Sequence, residues 1–150
     1  MAGHMTSVFV HFVWSTKNRL PLIIRKWEGR LHQYFRGVLD NRKCRLICSG
    51  GMPDHIHLLV SLWPTRSISR TVNDLKSNSS RWVHQTFPEL DYFAWQNGYG
   101  AFSVSKSHVQ RVTAYIRNQE KHHTNRSFKE EFRRLLRKHE ISCDEEFVWD

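Results

Sequence analysis

Residues 44–62 constrain the fold most tightly. Two apolar runs, CRLICS (44–49) and HIHLLVSL (55–62), are separated only by Gly50, Gly51, Met52, Pro53 and Asp54. Both runs favour extended backbone, and the Gly/Pro-rich stretch between them is turn-forming. A connection this short joins strands only in antiparallel fashion, because a parallel pair needs a crossover of about a dozen residues. The chain is therefore expected to contain an antiparallel hairpin.

The neighbouring segments extend that hairpin into a sheet covered by helices. SVFVHFVW (7–14) is dense in Val, Phe and Trp and reads as a buried strand. Trp27, Leu31, Tyr34, Phe35 and Val38 recur at helical steps over 25–39, and Ile68, Val72, Leu75 and Val83 do so over 67–84. A short strand is expected at 100–104. A third helix is expected from a cap at Ser105 or Ser107 to about His122, with Val109, Val112 and Ile116 as apolar positions. Ser127, with Glu130 three residues on, reads as a capping box for a last helix bearing Phe128, Phe132, Leu135 and Leu136. The first six elements are βαββαβ. The expected fold class is α+β: a ferredoxin-like antiparallel sheet with helices packed on one face, plus C-terminal helices.

Composition narrows the function classes. The 150 residues carry Lys+Arg 23 against Asp+Glu 14, a net charge of +9. Such an excess points to a polyanionic partner, most often nucleic acid. No run approaches the ~18 apolar residues of a membrane span, and no secretory leader is visible, so a cytoplasmic location is expected. Cys44, Cys48 and Cys143 have no CxxC spacing, which argues for reduced thiols rather than a disulfide framework or a four-cysteine zinc site. Residues 1–4 read as a cloning scar ahead of Met5. The acidic Asp144, Glu145 and Glu146 read as a solvated tail.

His55-Ile56-His57 is the sharpest chemical feature. On a strand, alternate side chains share a face, so both imidazoles project together while Ile56 points away. That pair is half of a metal site, although an HxH also occurs by chance on strands. On the third helix Arg111, Tyr115 and Gln119 follow one another at four-residue steps on one face. Spacing alone reads Tyr115 as a half-buried aromatic and Gln119 as a surface amide. His122 and His123 read as solvated helix-end residues.

These pieces occur in a recognisable order. VWSTKNR (13–19), GGMPDHIHLLVSL (50–62), WQNGYGAFSVS (95–105) and YIRNQEKHHTNRSFKEEF (115–132) together resemble the single-tyrosine HUH transposases of bacterial insertion sequences, including the repeat-associated tyrosine transposases. HUH denotes His, a hydrophobic residue, His. The resemblance spans most of residues 8–141 and implies one transposase domain over 5–150. It implies an enzyme that cleaves and rejoins single-stranded DNA at hairpin-marked element ends through a 5′-phosphotyrosine intermediate. Carried over by position, Tyr115 is the nucleophile and His55, His57 and Gln119 hold a divalent metal. Ligand softness alone equally allows zinc; the family implies Mg²⁺ or Mn²⁺. The family also implies a homodimer, for which the 8–14 strand, if at a sheet edge, is a candidate contact; the Phe128/Phe132/Leu135/Leu136 stripe reads more simply as core packing, with a partner face as the alternative.

Lys17, Arg19, Arg70, Lys76, Arg81, Lys106 and Arg111 are the expected DNA-binding cations. The aromatic loop with Phe87, Tyr92, Phe93, Trp95 and Tyr99 would either stack bases or pack on its own domain. Arg133, Arg134, Arg137 and Lys138 read as a solvated helix face. Two other readings stay open: a noncatalytic single-strand nucleic-acid binder, and a metal nuclease that uses water.

Overall fold

A computed structural model describes residues 3–124, 126–144 and 148–150. Met1 and Ala2 of the expected scar, and Glu145 and Glu146 of the acidic tail, lie outside the described residues. In chain order the elements are β1 (Phe9–Ser15), α1 (Arg25–Asp40), β2 (Arg45–Met52), β3 (His55–Ser61), α2 (Ile68–Thr86), β4 (Gly100–Val104), α3 (Val109–Arg117), α4 (Gln119–His122) and α5 (Phe128–Lys138). The sheet order is β2-β3-β1-β4, and each neighbouring pair is antiparallel. This is the split βαβ arrangement, because β3 lies between β1 and β2 and β4 adds beside β1.

The hairpin is tighter than the sequence indicated. β2 continues through Gly50, Gly51 and Met52, which pair with His57, Ile56 and His55. Only Pro53 and Asp54 form the turn. Glycine at position 50 has a packing reason: a Cβ there would sit 2.3 Å from the Ile116 carbonyl oxygen of α3. β1 lies between β3 and β4, so it is interior and not the edge strand a dimer contact would need. Its pairing on both sides consumes its backbone groups.

Helices cover both faces of the sheet, not one. Strand alternation sends Val10, Phe12 and Trp14 of β1 and Ile56, Leu58 and Val60 of β3 against Leu31, Phe35 and Leu39 of α1 and Val72, Leu75 and Val83 of α2. Phe12 and Leu58 are fully buried, each worth about 1.5–3 kcal/mol of transfer free energy. On the opposite face Phe9, Cys48 and Leu59 pack on Ile116, while Val13 and Phe102 pack on Phe128 and Phe132. The α5 stripe is therefore core packing. Strands buried on both faces carry apolar residues at nearly every position, which is why SVFVHFVW shows no alternation.

Serine caps mark the starts of α2 and α5. Ser67 Oγ accepts from the Arg70 amide at 3.1 Å, and Ser127 Oγ accepts from the Glu130 amide at 3.2 Å. α3 differs: its N-cap is His108, with no side-chain cap, and the Ser105 hydroxyl bonds to His108 Nδ1 instead. Most of the aromatic loop packs on its own domain: Phe93 and Trp95 join the α1/α2 core, whereas Tyr92 and Tyr99 stay exposed. Cys44 and Cys48 are buried free thiols and Cys143 is an exposed one. No described helix is long and apolar enough to cross a membrane.

Candidate active site

The second sheet face, under α3, α4 and α5, holds the polar centre. β3 points His55 and His57 into it, with ring centroids 5.1 Å apart and both side chains at 0% exposure. Buried imidazoles need partners for both ring nitrogens. His55 Nδ1 donates to Asp54 Oδ1 at 2.7 Å. His57 Nδ1 accepts from His11 Nε2 at 2.9 Å. The outer nitrogens are thus occupied, and the two Nε2 atoms converge on what the C-terminal helices bring.

What they bring is Gln119, His123 and Glu131. His55 Nε2 lies 3.0 Å from Gln119 Oε1 and 3.4 Å from Glu131 Oε1. His57 Nε2 donates to the same Glu131 oxygen at 3.1 Å, and His123 Nε2 does so at 3.0 Å. The other Glu131 oxygen accepts from the Tyr115 hydroxyl. One carboxylate therefore joins the histidine pair to the tyrosine.

The electrostatics follow from that geometry. Burial alone would raise the Glu131 pKa, but hydrogen bonds from His123, His55 and His57 outweigh it and hold the carboxyl well below the usual range. Burial opposes charging His55, yet its bonds to Asp54 and Glu131 prevail and lift it to about 9. Burial lowers His57, and burial together with neighbouring His57 lowers His11 further. Tyr115 is pushed above the usual phenol range by burial and by the Glu131 charge.

Tyr115, His55, His57 and Gln119 thus come together, as the family resemblance and not their spacing implied, with one difference in the helix that carries them. The third helix does not run to His122. It breaks at Asn118 (φ −101, ψ 31), and Gln119 begins a separate turn, 2% exposed. His123 is not solvated; its ring turns inward onto Glu131 and Gln119. His122 lies against Tyr115 with the rings tilted by 32° and their centroids 4.6 Å apart. Glu131, His11 and Asp54 were not singled out from sequence. A signal existed for Glu131: it is three residues after Phe128, inside the apolar stripe of α5, where a carboxylate is out of place unless partnered.

The expected DNA-binding cations are scattered. Arg111 alone among them lines the cleft beside Tyr115. Arg70 and Arg81 are exposed on α2, across the sheet from the site. Lys76 is structural: its Nζ donates to the Gln96 and Gly98 carbonyls, both at 2.7 Å, and burial lowers its pKa to about 8. Arg19 lies over the Trp149 ring and Lys106 over Phe9, while Lys17 is exposed. Arg134 and Lys138 are exposed, as the solvated-face reading expected, and they also line the cleft.

Donor atoms of His55, His57 and Glu131 all lie within 4.8 Å of one another. That spacing suits ligand bonds of about 2.0–2.2 Å around one divalent cation. Asp54 fixes the His55 ring by accepting its Nδ1 hydrogen, as ligating histidines require, whereas His57 would offer Nε2 to a metal only in the tautomer that donates from Nδ1 to His11 Nε2.

The sequence comparison decides the family. Residues 4–119 match the profile of the IS200-like transposases. The chain belongs to the IS200-like transposase family. Among relatives of this IS200-like transposase, the ISDra2 transposase TnpA of Deinococcus radiodurans is 26% identical over 122 residues, covering 78% of this chain and 87% of the relative. The transposase of insertion sequence IS200 from Salmonella typhimurium is 25% identical over 114 residues, covering 73% and 74%. A crystal structure of a transposase candidate from Deinococcus radiodurans R1 superposes with a TM-score of 0.66 at 27% identity, covering 79% of this chain and 95% of that one. A REP-associated tyrosine transposase bound to a REP hairpin shares the fold, with a TM-score of 0.57 at 16% identity, covering 77% and 70%. The family match takes in His55, His57, Tyr115 and Gln119 and ends before Glu131.

Proposed function

We propose that this transposase cleaves and rejoins single-stranded DNA at hairpin-marked element ends, through a covalent 5′-phosphotyrosine link on Tyr115. The observation that carries the reading is Glu131, whose two oxygens join the His55–His57 pair to the Tyr115 hydroxyl. His55, His57 and Glu131, with Gln119 beside them, would hold Mg²⁺ or Mn²⁺. Such a cation supplies Lewis-acid polarisation of the scissile phosphate.

The chain's own residues do the rest. The Tyr115 oxygen attacks phosphorus, and the bond to the 3′ oxygen breaks. The 3′ oxygen leaves with the electron pair and takes up a proton, the phenol having released its own, so that in net terms the tyrosine proton ends on the 3′ hydroxyl while the 5′ phosphate stays on Tyr115. Glu131 keeps the phenol hydrogen directed inward, so the oxygen is held in one orientation before attack. Because the phosphodiester energy is retained in the tyrosyl ester, a second 3′ hydroxyl reverses the step without ATP. The REP-hairpin complex of the solved relative supports a hairpin-bearing strand as substrate. The same reading takes residues 5–150 as one domain that works as a homodimer in the cytoplasm.

The test uses single strands from the DNA flanking the gene, labelled at the 3′ end and mixed with protein and Mg²⁺ or Mn²⁺. The reading predicts a labelled band at protein mass on a denaturing gel, absent with chelator and absent in Tyr115→Phe. Tight binding with no such band favours a binding module, and free 5′-phosphate ends favour a water-using nuclease.

A further inference from the structure

β4, α3 and α5 enclose a cleft of about 790 Å³ on the sheet face that carries Tyr115. Glu131 is buried in its wall, while Arg111, Arg134 and Lys138 line it together with the half-buried Arg126. Glu131 is already committed to three imidazoles and the phenol. None of the four cations has an ion-pair partner among the described residues. Like charges gathered around one concave site repel one another even where, as at Arg111, Arg134 and Lys138, the side chains are exposed, and an anion relieves that cost. Their arrangement is directional. Glu131, Arg134 and Lys138 are spaced at three and four residues, so they form one stripe along α5. Arg111 stands one turn before Tyr115 on the opposite wall. A path of positive charge therefore leads to the Tyr115 hydroxyl.

We infer that this cleft seats the sugar–phosphate backbone of the single strand whose scissile phosphate meets Tyr115, with Arg134 and Lys138 positioning phosphates that do not react. The inference rests on the strand-transfer reading for the identity of the polyanion. It moves the binding surface from the dispersed cations to one wall of α5, beyond the residues matched by the family profile.

The experiment measures binding of a fluorescein-labelled oligothymidylate of about twenty nucleotides, in chelator, over a salt series. Arg134→Gln with Lys138→Gln should weaken binding by roughly tenfold near 0.1 M salt. It should also flatten the log–log salt slope by about 1.4, since each phosphate contact on a single strand contributes about 0.7. Arg134→Lys, which keeps the charge, should restore most of the affinity for that position. Arg70→Gln with Arg81→Gln, across the sheet, should bind as the parent does. Parental binding by the α5 variant, loss confined to the α2 variant, or no binding by the parent overturns the inference. A Tyr115 adduct formed by a protein whose α5 variant binds normally would remove the cleft and leave strand transfer standing. The expected α5 loss in a protein that forms no adduct would do the reverse.

Discussion

Tyr115 and Glu131 meet across the site, the phenol donating to the carboxylate oxygen that faces away from the histidines. The hydrogen bond ties α3 to α5, and the same carboxylate reaches β3 through His57 at 3.1 Å. Tyr115 and the His55–His57 pair are therefore held by one group, not by separate scaffolds. Glu131→Gln keeps the shape but removes the charge that three imidazoles share. We expect divalent-cation affinity to fall at least roughly tenfold, as loss of an anionic ligand or of its field entails. Calorimetric titration with Mn²⁺ checks this, and an unchanged dissociation constant would take Glu131 out of the ligand set.

Asp54 acts from behind His55. Its carboxylate accepts from Nδ1 at 2.7 Å, which fixes the ring and turns Nε2 toward Gln119 and Glu131. Asp54→Asn should lower metal affinity by roughly 10–100-fold, the usual cost of losing an outer-shell carboxylate. Circular dichroism should show the fold retained, because the turn backbone, with the Asp54 carbonyl accepting from Thr16, is unaffected.

The glycines give a stability prediction of opposite signs. A Cβ on Gly50 would meet the Ile116 carbonyl oxygen at 2.3 Å, and backbone there cannot swing aside. Gly50→Ala should cost about 1–3 kcal/mol, the usual range for overpacking. Gly37 lies in α1, where an added Cβ would meet nothing within 4 Å. Gly37→Ala should stabilise by about 0.5–1 kcal/mol through helix propensity. Urea unfolding of both variants reads the two signs.

His32 supplies a pH dependence. Burial lowers its pKa from 6.5 to about 4. Its Nδ1 pairs with Ser49 Oγ at 3.0 Å, and its Nε2 is buried with no partner. Between those two values the unfolded chain holds a proton that the folded chain lacks. Stability from this group therefore rises with pH across the window and is lost as pH falls below 6.5. The loss amounts to about 2 kcal/mol by about pH 5. His32→Asn should remove that part of the slope, and an unchanged slope in the variant would contradict it.

Much of the fold was legible because backbone periodicity and punctuation carry it. The Pro53-Asp54 turn, the β-dense strands and the serine caps are local signals that tertiary contacts left in place. The histidine pair was legible for the same reason, since alternation on β3 sets its face. The break at Asn118 was not, because no Gly or Pro marks it; it arises where α3 meets β2 and Gln119 turns inward. Glu131 was hidden by its company, a carboxylate within an apolar stripe, two of whose partners lie 74 and 76 residues away on β3. Of the cleft cations Arg111 was legible, but Arg134 and Lys138 were not, because a helix face looks the same whether it borders solvent or a site.

In the proposed mechanism the cleaved strand is attached to Tyr115 itself. Peptide mass mapping after reaction with the flanking single strand and Mn²⁺ tests it most directly. The account predicts that the α3 peptide carries a nucleotide joined through a 5′ phosphate to Tyr115. A mapped adduct on another residue, or cleaved strands with free 5′-phosphate ends and an unmodified Tyr115, would contradict it.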